Sequence, residues 1–475
     1  MLALAPRQFD ALHLLGVIAR QRGDAPRAAS LIREALAVDP SQARAYANLG
    51  AALQDLGETQ AALDSYEQAL RLDPRYPLAW DNRGNTLRRL GRLPEALHSY
   101  EQALALAPNA DAWCHHAIAL HDLGRHADAV VSAERALQAR PGHADALLAL
   151  GNALQGLVRF DEALAAYDAA LAGKARADIW CARGSALKKA GELAAALASY
   201  ERALALHPAY ALAQHYRANT LRALGRKDEA IAAYRKAREL GADAGEIDFA
   251  LAALAAPGEG QLPTAAPPDY IKGLFDQYAG HFDQHLVGVL GYRTPALLDD
   301  LLRAHLAHPQ HVDEALDLGC GTGLCGPFLR PLAGRLTGVD LSQRMLDKAA
   351  ESGVYDVLAC TDIGGFLVAQ APAPRYGIVL AADVFVYFGE LAQVFGQVAR
   401  ALHTGGWFAF SVEALEDVGS AGYAVTSSNR FAHTLDYVRD CAAAAGMTFV
   451  ETRQAALRRE HGRDVAGHLA LLRKS

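Results

Sequence analysis

The chain has 475 residues, enough for about two to four domains, and 52% of them are apolar while 21% are charged, as in ordinary globular proteins. No apolar run reaches the roughly 18 residues needed to cross a bilayer, and the N-terminus lacks the basic and apolar regions of a signal peptide. The net charge of −7 gives no basic footprint for nucleic acid, and the scattered cysteines indicate reduced thiols. We therefore expect a cytoplasmic protein that binds neither nucleic acid nor membrane, and no metal site.

The N-terminal half repeats itself every 34 residues, at times 33, over about residues 9 to 244. The first recurring position holds Gly16, Gly50, Gly84, Ala117, Gly151, Gly184 and Ala218, and the second holds Gly23, Gly57, Gly91, Gly124, Val158, Gly191 and Gly225. The pattern is identified as the tetratricopeptide repeat, in which small residues let two helices pack closely and the second glycine breaks the chain between them. We predict seven repeats, stacked as a superhelix and followed by a capping helix.

A polar stripe is predicted on the first helix of several repeats. Asp81, Asn85 and Arg88 are spaced at i, i+4 and i+7, which places them on one helix face. Later repeats hold the same positions with His215, Asn219 and Arg222, with Asn152 and Gln155, and with Lys188. In tetratricopeptide arrays this face lines the concave groove, so we expect a protein or peptide partner there. A solvated helix face is the alternative.

Residues 314–326 run from an apolar strand through Asp317 into three alternating glycines, Gly319, Gly321 and Gly323. These glycines let the backbone turn sharply against a ligand, and a helix follows whose N-terminus favours negative charge. A Rossmann-like sheet holds a nucleotide-containing cofactor in this way. Asp317 would repel a pyrophosphate and attract a cationic group. It therefore favours S-adenosylmethionine over a dinucleotide, although the segment also satisfies GxGxxG.

Acids recur at the predicted strand ends that follow. Strands are predicted at residues 336–340, 357–360, 378–383 and 405–412, with a closing hairpin at 449–457 and 465–472. Asp340 ends the second strand, where a carboxylate can accept hydrogen bonds from both ribose hydroxyls. Asp362 and Ile363 follow the third strand and suit the edge and the face of an adenine ring.

This half resembles the class I S-adenosylmethionine-dependent methyltransferases over about residues 270–475, on its DLGCGTG segment and the spaced acids that follow. The resemblance implies S-adenosylmethionine as the cofactor. The predicted cofactor-binding residues are Asp317, Gly319, Gly321, Gly323, Asp340, Leu341, Asp362, Ile363, Asp383 and Tyr278. The whole arrangement resembles a bacterial group of predicted methyltransferases with tetratricopeptide repeats, which brings no settled substrate with it.

The segment before the glycine turn is predicted to be helical. It contains an aromatic-Asp-x-x-Ala-x-x-aromatic-Asp pattern at residues 275–283, with which several small-molecule methyltransferases begin. By this resemblance Tyr278 and Phe282 would cover the methionine end of the cofactor. The alternative is that these aromatic rings simply pack the helix on the sheet.

Acceptor-binding residues are expected on loops after the strands, because ligands bind at the carboxyl ends of an open α/β sheet. The candidates are Asp383 and Tyr387 after the fourth strand, Glu413 after the fifth, and residues 429–433. Glu413, His433 and Tyr387 are the predicted catalytic residues, with His433 as a candidate base. A solvated loop acid and a surface histidine are the alternatives for Glu413 and His433. An acceptor that is already nucleophilic needs no base.

The sequence thus predicts an all-α tetratricopeptide solenoid at residues 1–256, a linker at 257–268 and an α/β Rossmann-like methyltransferase domain at 269–475. The domain is expected to hold a seven-stranded, mostly parallel sheet that ends in an antiparallel hairpin. The predicted function is methyl transfer to an unidentified acceptor that is captured by the repeats. The alternative is an interaction scaffold whose second domain senses the cofactor without catalysis.

Overall fold

The computed structural model describes residues 8–254, 262–278, 291–306, 311–370, 374–416, 421–426, 428–460 and 463–475. The chain divides into two compact units, Met1–Ala233 and Tyr234–Ser475. Among the described residues, no helix is both long enough and apolar enough to span a membrane.

Paired antiparallel helices form the repeats. They are α1 (Phe9–Gln21), α2 (Ala25–Val38), α3 (Ala43–Asp55), α4 (Thr59–Leu72), α5 (Pro77–Arg89), α6 (Leu93–Leu106), α7 (Ala110–Asp122), α8 (His126–Ala139), α9 (Ala144–Gly156), α10 (Phe160–Gly173), α11 (Ala177–Lys189), α12 (Leu193–Leu206), α13 (Ala211–Ala223) and α14 (Lys227–Glu239). The seven predicted repeats are confirmed as seven helix pairs. The division between the units falls within α14, earlier than the predicted domain boundary.

Close contact between a glycine and a tyrosine ring holds the two helices of a repeat together. A Cβ on Gly84 would lie 2.5 Å from Cε1 of Tyr100, a distance that no real side chain tolerates, and three other repeats share this contact. In the fourth repeat the same positions hold Ala117 and Ala133, both fully buried. The extra methyl group on the first helix is therefore matched by a smaller side chain on the second.

The turn between paired helices places one residue in the left-handed region. Six repeats use glycine there, with φ between 73° and 88°, but the fifth repeat uses Val158 at a φ of 63°. A β-branched residue is strained in this region by roughly 1–2 kcal/mol. The fifth repeat thus carries local strain that the other repeats avoid.

Val158→Gly is expected to stabilise the array by about 1 kcal/mol, the relieved strain less the greater freedom that glycine brings to the unfolded chain. Val158 is 53% exposed, so little apolar burial is lost. Urea denaturation followed by far-ultraviolet circular dichroism measures the change. Val131→Gly is the matched control, because Val131 is 50% exposed but lies within α8, and it should lose stability. Equal losses in both variants would contradict the strain.

The second unit is an α/β domain. Its strands are β1 (Val312–Leu318), β2 (Ala333–Asp340), β3 (Val357–Cys360), β4 (Tyr376–Ala381), β5 (Leu402–Ala414), β6 (Tyr423–Val425), β7 (Phe431–His433), β8 (Met447–Glu460) and β9 (Arg463–Lys474). Its remaining helices are α15 (Ala244–Ala252), α16 (Pro268–Tyr278), α17 (Thr294–Arg303), α18 (Gly326–Leu329), α19 (Gln343–Glu351), α20 (Ile363–Gln370), α21 (Ala392–Ala401) and α22 (Leu435–Ala444).

One sheet runs in the order β3-β2-β1-β4-β5, and β9 then pairs antiparallel with β5 and with β8. The mostly parallel sheet and its terminal hairpin confirm the predicted fold. The described sheet has nine strands rather than seven, because the three-residue strands β6 and β7 form an extra hairpin beyond the end of β5. Such short strands leave too little alternation in the sequence to be predicted.

The segment predicted as a linker is not free over residues 262–268. Its backbone pairs with the loop after β4: the N–H of Ala266 donates to the carbonyl of Tyr387 at 2.8 Å, and the N–H of Gly389 donates to the carbonyl of Thr264 at 2.8 Å. In α15, which was predicted to cap the array, the ring of Phe249 lies 5.5 Å from that of Phe431, between centroids. The helix and the strap at 262–268 therefore belong to the second unit.

Candidate cofactor and acceptor site

A cavity of about 550 Å³ opens at the carboxyl ends of β1, β2 and β4. This is the edge at which open α/β sheets bind ligands, and the volume suits a small-molecule site. Eight predicted residues line it: Gly319, Gly321, Asp340, Leu341, Asp362, Ile363, Asp383 and Tyr387. The sequence prediction thus converges on one cavity, although its residues come from four separate stretches of chain.

The glycine turn leaves open space at one position. Gly319, Gly321 and Gly323 all have positive φ, at 64°, 54° and 92°. A Cβ on Gly319 would lie 2.6 Å from Val384, and one on Gly323 would lie 3.0 Å from Tyr355, so both are packed against protein. A Cβ on Gly321 would meet no atom within 4 Å. Gly321 is therefore where the backbone itself is presented to a ligand.

Asp340 is held rigidly at the end of β2. Its Oδ2 accepts from the N–H of Gly321 at 3.0 Å, and its Oδ1 accepts from the N–H of Ser342 at 2.9 Å. Burial raises the pKa of Asp340, and these backbone donors oppose the shift. Each carboxylate oxygen has a second lone pair, so both can also accept from a ligand hydroxyl. The Ser342 hydroxyl also donates to Asp276 of α16 at 2.6 Å, which fastens α16 beside Asp340.

Asp362 and Ile363 begin α20. Asp362 Oδ1 accepts from the N–H of Gly365 at 2.7 Å, which orients the carboxylate at the helix start, while Ile363 is almost fully buried. The pair presents one acceptor edge and one apolar face to the cavity.

Asp317 lies behind the glycine turn rather than on the cavity wall. It is 1% exposed, and the hydroxyl of Tyr355 donates to its Oδ2 at 2.6 Å. Burial raises the pKa of Asp317 to about 7 despite this hydrogen bond. The carboxyl group is therefore poised between its neutral and charged forms near neutral pH.

The pH dependence of stability tests the raised pKa of Asp317. The carboxyl group titrates at about 4 in an unfolded chain and at about 7 in the fold. Between these values the folded state holds a proton that the unfolded state has lost, so the free energy of unfolding falls as the pH rises. Asp317→Asn lacks this component, and its stability relative to the unsubstituted protein should rise with pH. Urea denaturation at about pH 5 and about pH 8 measures the trend, and parallel behaviour would contradict it.

Asp383 is fixed by groups beneath the cavity. It has a positive φ of 56°, its N–H donates to Ser411 Oγ at 2.9 Å, and Arg458 Nη1 donates to its Oδ2 at 3.2 Å. Arg458 is 2% exposed and also forms an ion pair with Glu413. A strained residue held this firmly at a ligand cavity is typical of a functional site.

The structure does not bring Glu413 or His433 to the cavity wall. The Glu413 carboxylate is 5% exposed and engaged with Arg458. His433 is fully buried, its Nε2 lies 3.2 Å from the carbonyl oxygen of Gly389, and burial lowers its pKa to about 4. Neither side chain therefore meets the expectation of a base facing the acceptor; of the three predicted catalytic residues, only Tyr387 lines the cavity. The side chain of Tyr278 and the whole of Phe282 lie outside the described residues.

Further residues line the cavity, two of which lie in segments that the sequence analysis named, 275–283 and 429–433. Phe275 of α16, Tyr292 and Arg430 line the cavity together with the strap residue Ala265. Arg430 stands within the candidate segment 429–433, where His433 was preferred because histidine titrates near neutral pH. Tyr292 belongs to no motif and lies two residues before the start of α17.

Family models match this geometry. A methyltransferase domain is matched at residues 316–408, a range that begins within β1, includes the glycine turn and ends within β5. Tetratricopeptide repeats are matched at residues 11–44, 43–76, 77–110, 116–178 and 181–256. The chain combines tetratricopeptide repeats with a methyltransferase domain. The predicted architecture is thereby confirmed.

Curated relatives match short stretches of the chain. Human methyltransferase-like protein 27 is 38% identical over 110 residues, which cover 22% of this chain and 42% of that protein. The ubiquinone biosynthesis O-methyltransferase of Burkholderia vietnamiensis is 30% identical over 115 residues, which cover 23% of this chain and 46% of that protein. The chain therefore spans less than half the length of these relatives.

Solved structures of repeat proteins align with part of the chain. A tetratricopeptide repeat protein from Parabacteroides merdae is 20% identical, with a TM-score of 0.45, and the alignment covers 50% of this chain and 96% of that one. The repeat assignment rests on the family models and on the observed helix pairs.

Proposed function

We propose that the methyltransferase domain binds S-adenosylmethionine in this cavity and catalyses transfer of its methyl group to an acceptor. The observation that carries the proposal is the pairing of Asp340 with Gly321: a carboxylate with free lone pairs stands beside a backbone position that has no side chain above it. That arrangement suits a ribose and the chain attached to it. Asp362 and Ile363 are assigned to the adenine ring.

The charges around the cavity favour a cationic cofactor over a dinucleotide. Asp340, Asp362 and Asp383 line the cavity, and Asp317 lies behind the glycine turn. Among the described lining residues, Arg430 is the only lysine or arginine. A pyrophosphate would meet mainly carboxylates, whereas a sulfonium and an ammonium group would be attracted to them. When bound, S-adenosylmethionine supplies a methyl group on a positively charged sulfur, a strong electrophile.

Calorimetry with S-adenosylhomocysteine and with NAD tests the cofactor assignment. Binding of S-adenosylhomocysteine without binding of NAD is expected, and binding of NAD without S-adenosylhomocysteine would end the proposal.

Transfer of a radiolabelled methyl group to a heat-treated cell lysate tests catalysis. A blank in both the protein and the small-molecule fractions, with cofactor binding intact, would favour the non-catalytic scaffold.

The repeat array offers a second binding surface. A polar cavity of about 500 Å³ is lined by Asn85, Arg88 and Asn152, which belong to the predicted stripe. The hydroxyl of Tyr100 donates to Asn85 Oδ1 at 2.9 Å, and that of Tyr167 donates to Asn152 Oδ1 at 2.8 Å. Each tyrosine thereby fixes the orientation of an asparagine amide. We propose that this surface binds a protein, a peptide or a carrier-bound acceptor for the methyltransferase domain.

Substitution of both asparagines tests this role. Asn85→Ala with Asn152→Ala should raise the concentration of lysate acceptor that gives half-maximal labelling, while the affinity for S-adenosylhomocysteine stays unchanged. Gln138→Ala, at an exposed position of α8, is the control. Unchanged labelling at low acceptor concentration would refute delivery of the acceptor by the array.

A further inference from the structure

The part of the cavity beyond the proposed cofactor residues is apolar and aromatic, with one cation. Phe275, Tyr292, Val386 and Tyr387 supply the apolar wall. Arg430 stands among them, and the only other charged groups on this part of the described lining are Asp383 and Glu390. Glu390 is exposed and therefore lies at the rim.

Arg430 is held in place by its backbone. It follows Asn429, which has a positive φ of 59°, and its carbonyl accepts from the N–H of Thr426 at 2.7 Å, closing the β6–β7 hairpin. Burial raises the pKa of Tyr387, and the charge of Arg430 opposes that shift, which indicates that the guanidinium lies near the tyrosine. The β6–β7 hairpin thus places the guanidinium of Arg430 on the aromatic part of the cavity lining.

Glu413 lies near Arg430 and is held more closely by Arg458. Nη1 of Arg430 lies 3.9 Å from Oε1 of Glu413, whereas Arg458 is in direct contact with that same oxygen. A guanidinium has five N–H donors in a planar fork, which matches the two oxygens of a carboxylate. Because Arg430 lines the cavity and carries five donors, its guanidinium can bind a ligand carboxylate in addition to the protein groups that it contacts.

No buried base faces this part of the described cavity. Glu413 and His433 do not line it, and Asp383 is engaged by Arg458. Burial raises the pKa of Tyr292 and of Tyr387, so neither hydroxyl is ionised at neutral pH. An acceptor that carries its own negative charge at neutral pH needs no base, and a carboxylate is such an acceptor.

We propose that the methyl acceptor is a carboxylate, that Arg430 binds and orients it, and that the product is a methyl ester. The proposal rests on the proposed methyltransferase function. One carboxylate oxygen forms a bond to the methyl carbon as the bond from that carbon to sulfur breaks and its electron pair passes to sulfur. No proton is transferred, and a negative and a positive charge are lost together. The aromatic wall fits the apolar body of such an acid.

The chemical stability of the labelled product tests the acceptor class. Heat-treated lysate is incubated with the protein and radiolabelled S-adenosylmethionine, with Asp340→Ala as the blank, and the product is then treated with mild alkali. Methyl esters release volatile methanol, whereas methyl ethers and methylamines retain the label. Alkali-labile label is expected. Alkali-stable label would overturn the carboxylate proposal and leave methyl transfer standing, and an absence of label would end both.

Two variants separate ligand binding from charge balance at Arg430. Arg430→Gln should reduce alkali-labile label at least 100-fold while its affinity for S-adenosylhomocysteine, measured by calorimetry, stays within about twofold. Arg439→Gln, at an exposed arginine of α22, should change neither. If Arg430 only neutralises Glu413, the double variant Arg430→Gln with Glu413→Gln should recover labelling. Such recovery, or full labelling by Arg430→Gln, would overturn the role of Arg430.

Discussion

Asp340→Ala is expected to weaken binding of S-adenosylhomocysteine by about 2–4 kcal/mol, or roughly 30- to 1000-fold. The carboxylate is assigned two charge-assisted hydrogen bonds to the ribose, and it also accepts from the N–H groups of Gly321 and Ser342 that shape the turn. The substitution removes both the proposed ligand contacts and the hydrogen bonds that fix the glycine turn. Calorimetry at constant ionic strength measures the change.

Asp347→Ala is the matched control for this variant. Asp347 lies a few residues further along, on α19, is exposed, and accepts from the side chain of Gln343 at 2.8 Å. Its loss should leave the affinity unchanged. If Asp340→Ala retained full affinity while thermal unfolding showed an intact domain, the cofactor site would have to lie elsewhere.

The cavity position of the residues proposed for the cofactor could be predicted from the sequence, because each of them follows its strand within a few positions. The turn with Gly321, the acid Asp340 at the end of β2, and Asp362 after β3 are local patterns, and parallel strands bring their carboxyl ends to one edge whatever the rest of the chain does. The repeats were predictable for a similar reason, since a fixed period reveals the helix pairs without any long-range contact.

The acceptor end could not be predicted in this way, because it depends on contacts between distant segments. Glu413 emerges from β5 as expected, but Arg458 of β8 reaches it across the sheet and turns a candidate base into one half of a buried ion pair. The register of β8 shifts between Ala456 and Arg458, and a shift of this kind changes which face of a strand a residue occupies. His433 became part of a three-residue strand and was buried with it.

The predicted linker makes backbone contacts that its composition did not indicate. Proline and glycine indicated a free segment, but proline also suits extended backbone, and residues 262–268 pair with the loop after β4. Amino-acid composition indicates only local conformational preferences. The backbone N–H groups of Ala266 and Gly389 donate to carbonyl groups more than 100 residues away in the chain, and composition cannot indicate such contacts. Ala265 of this strap consequently lines the cavity.

Arg458→Met is expected to destabilise the methyltransferase domain by about 3–5 kcal/mol. The side chain of Arg458 is 1% exposed and is shared by Asp383 and Glu413, so its loss leaves two carboxylates without their common cation. Calorimetry detects the effect in the unfolding transition that S-adenosylhomocysteine shifts, which identifies the transition of this domain. Arg459→Met is the control, since that side chain is 68% exposed and pairs with an exposed Asp464. Its effect should stay within about 0.5 kcal/mol.

The pH dependence of the same variant separates lost charge pairing from lost packing. Burial already raises the pKa of Glu413, and Arg458 opposes that shift. Without Arg458 the pKa of Glu413 must rise further. At a pH between the pKa values of Glu413 in the unfolded and the folded variant, the folded state holds a proton that the unfolded chain has lost. Its free energy of unfolding should therefore fall more steeply with rising pH than that of the unsubstituted protein.

Glu413→Gln combined with Arg458→Met should recover part of the lost stability at neutral pH, because one buried charge is removed. If the deficit were the same at low and neutral pH, and in the double variant, then Arg458 would stabilise the domain by filling space, and the ion pair would not be what holds Asp383 at the cavity.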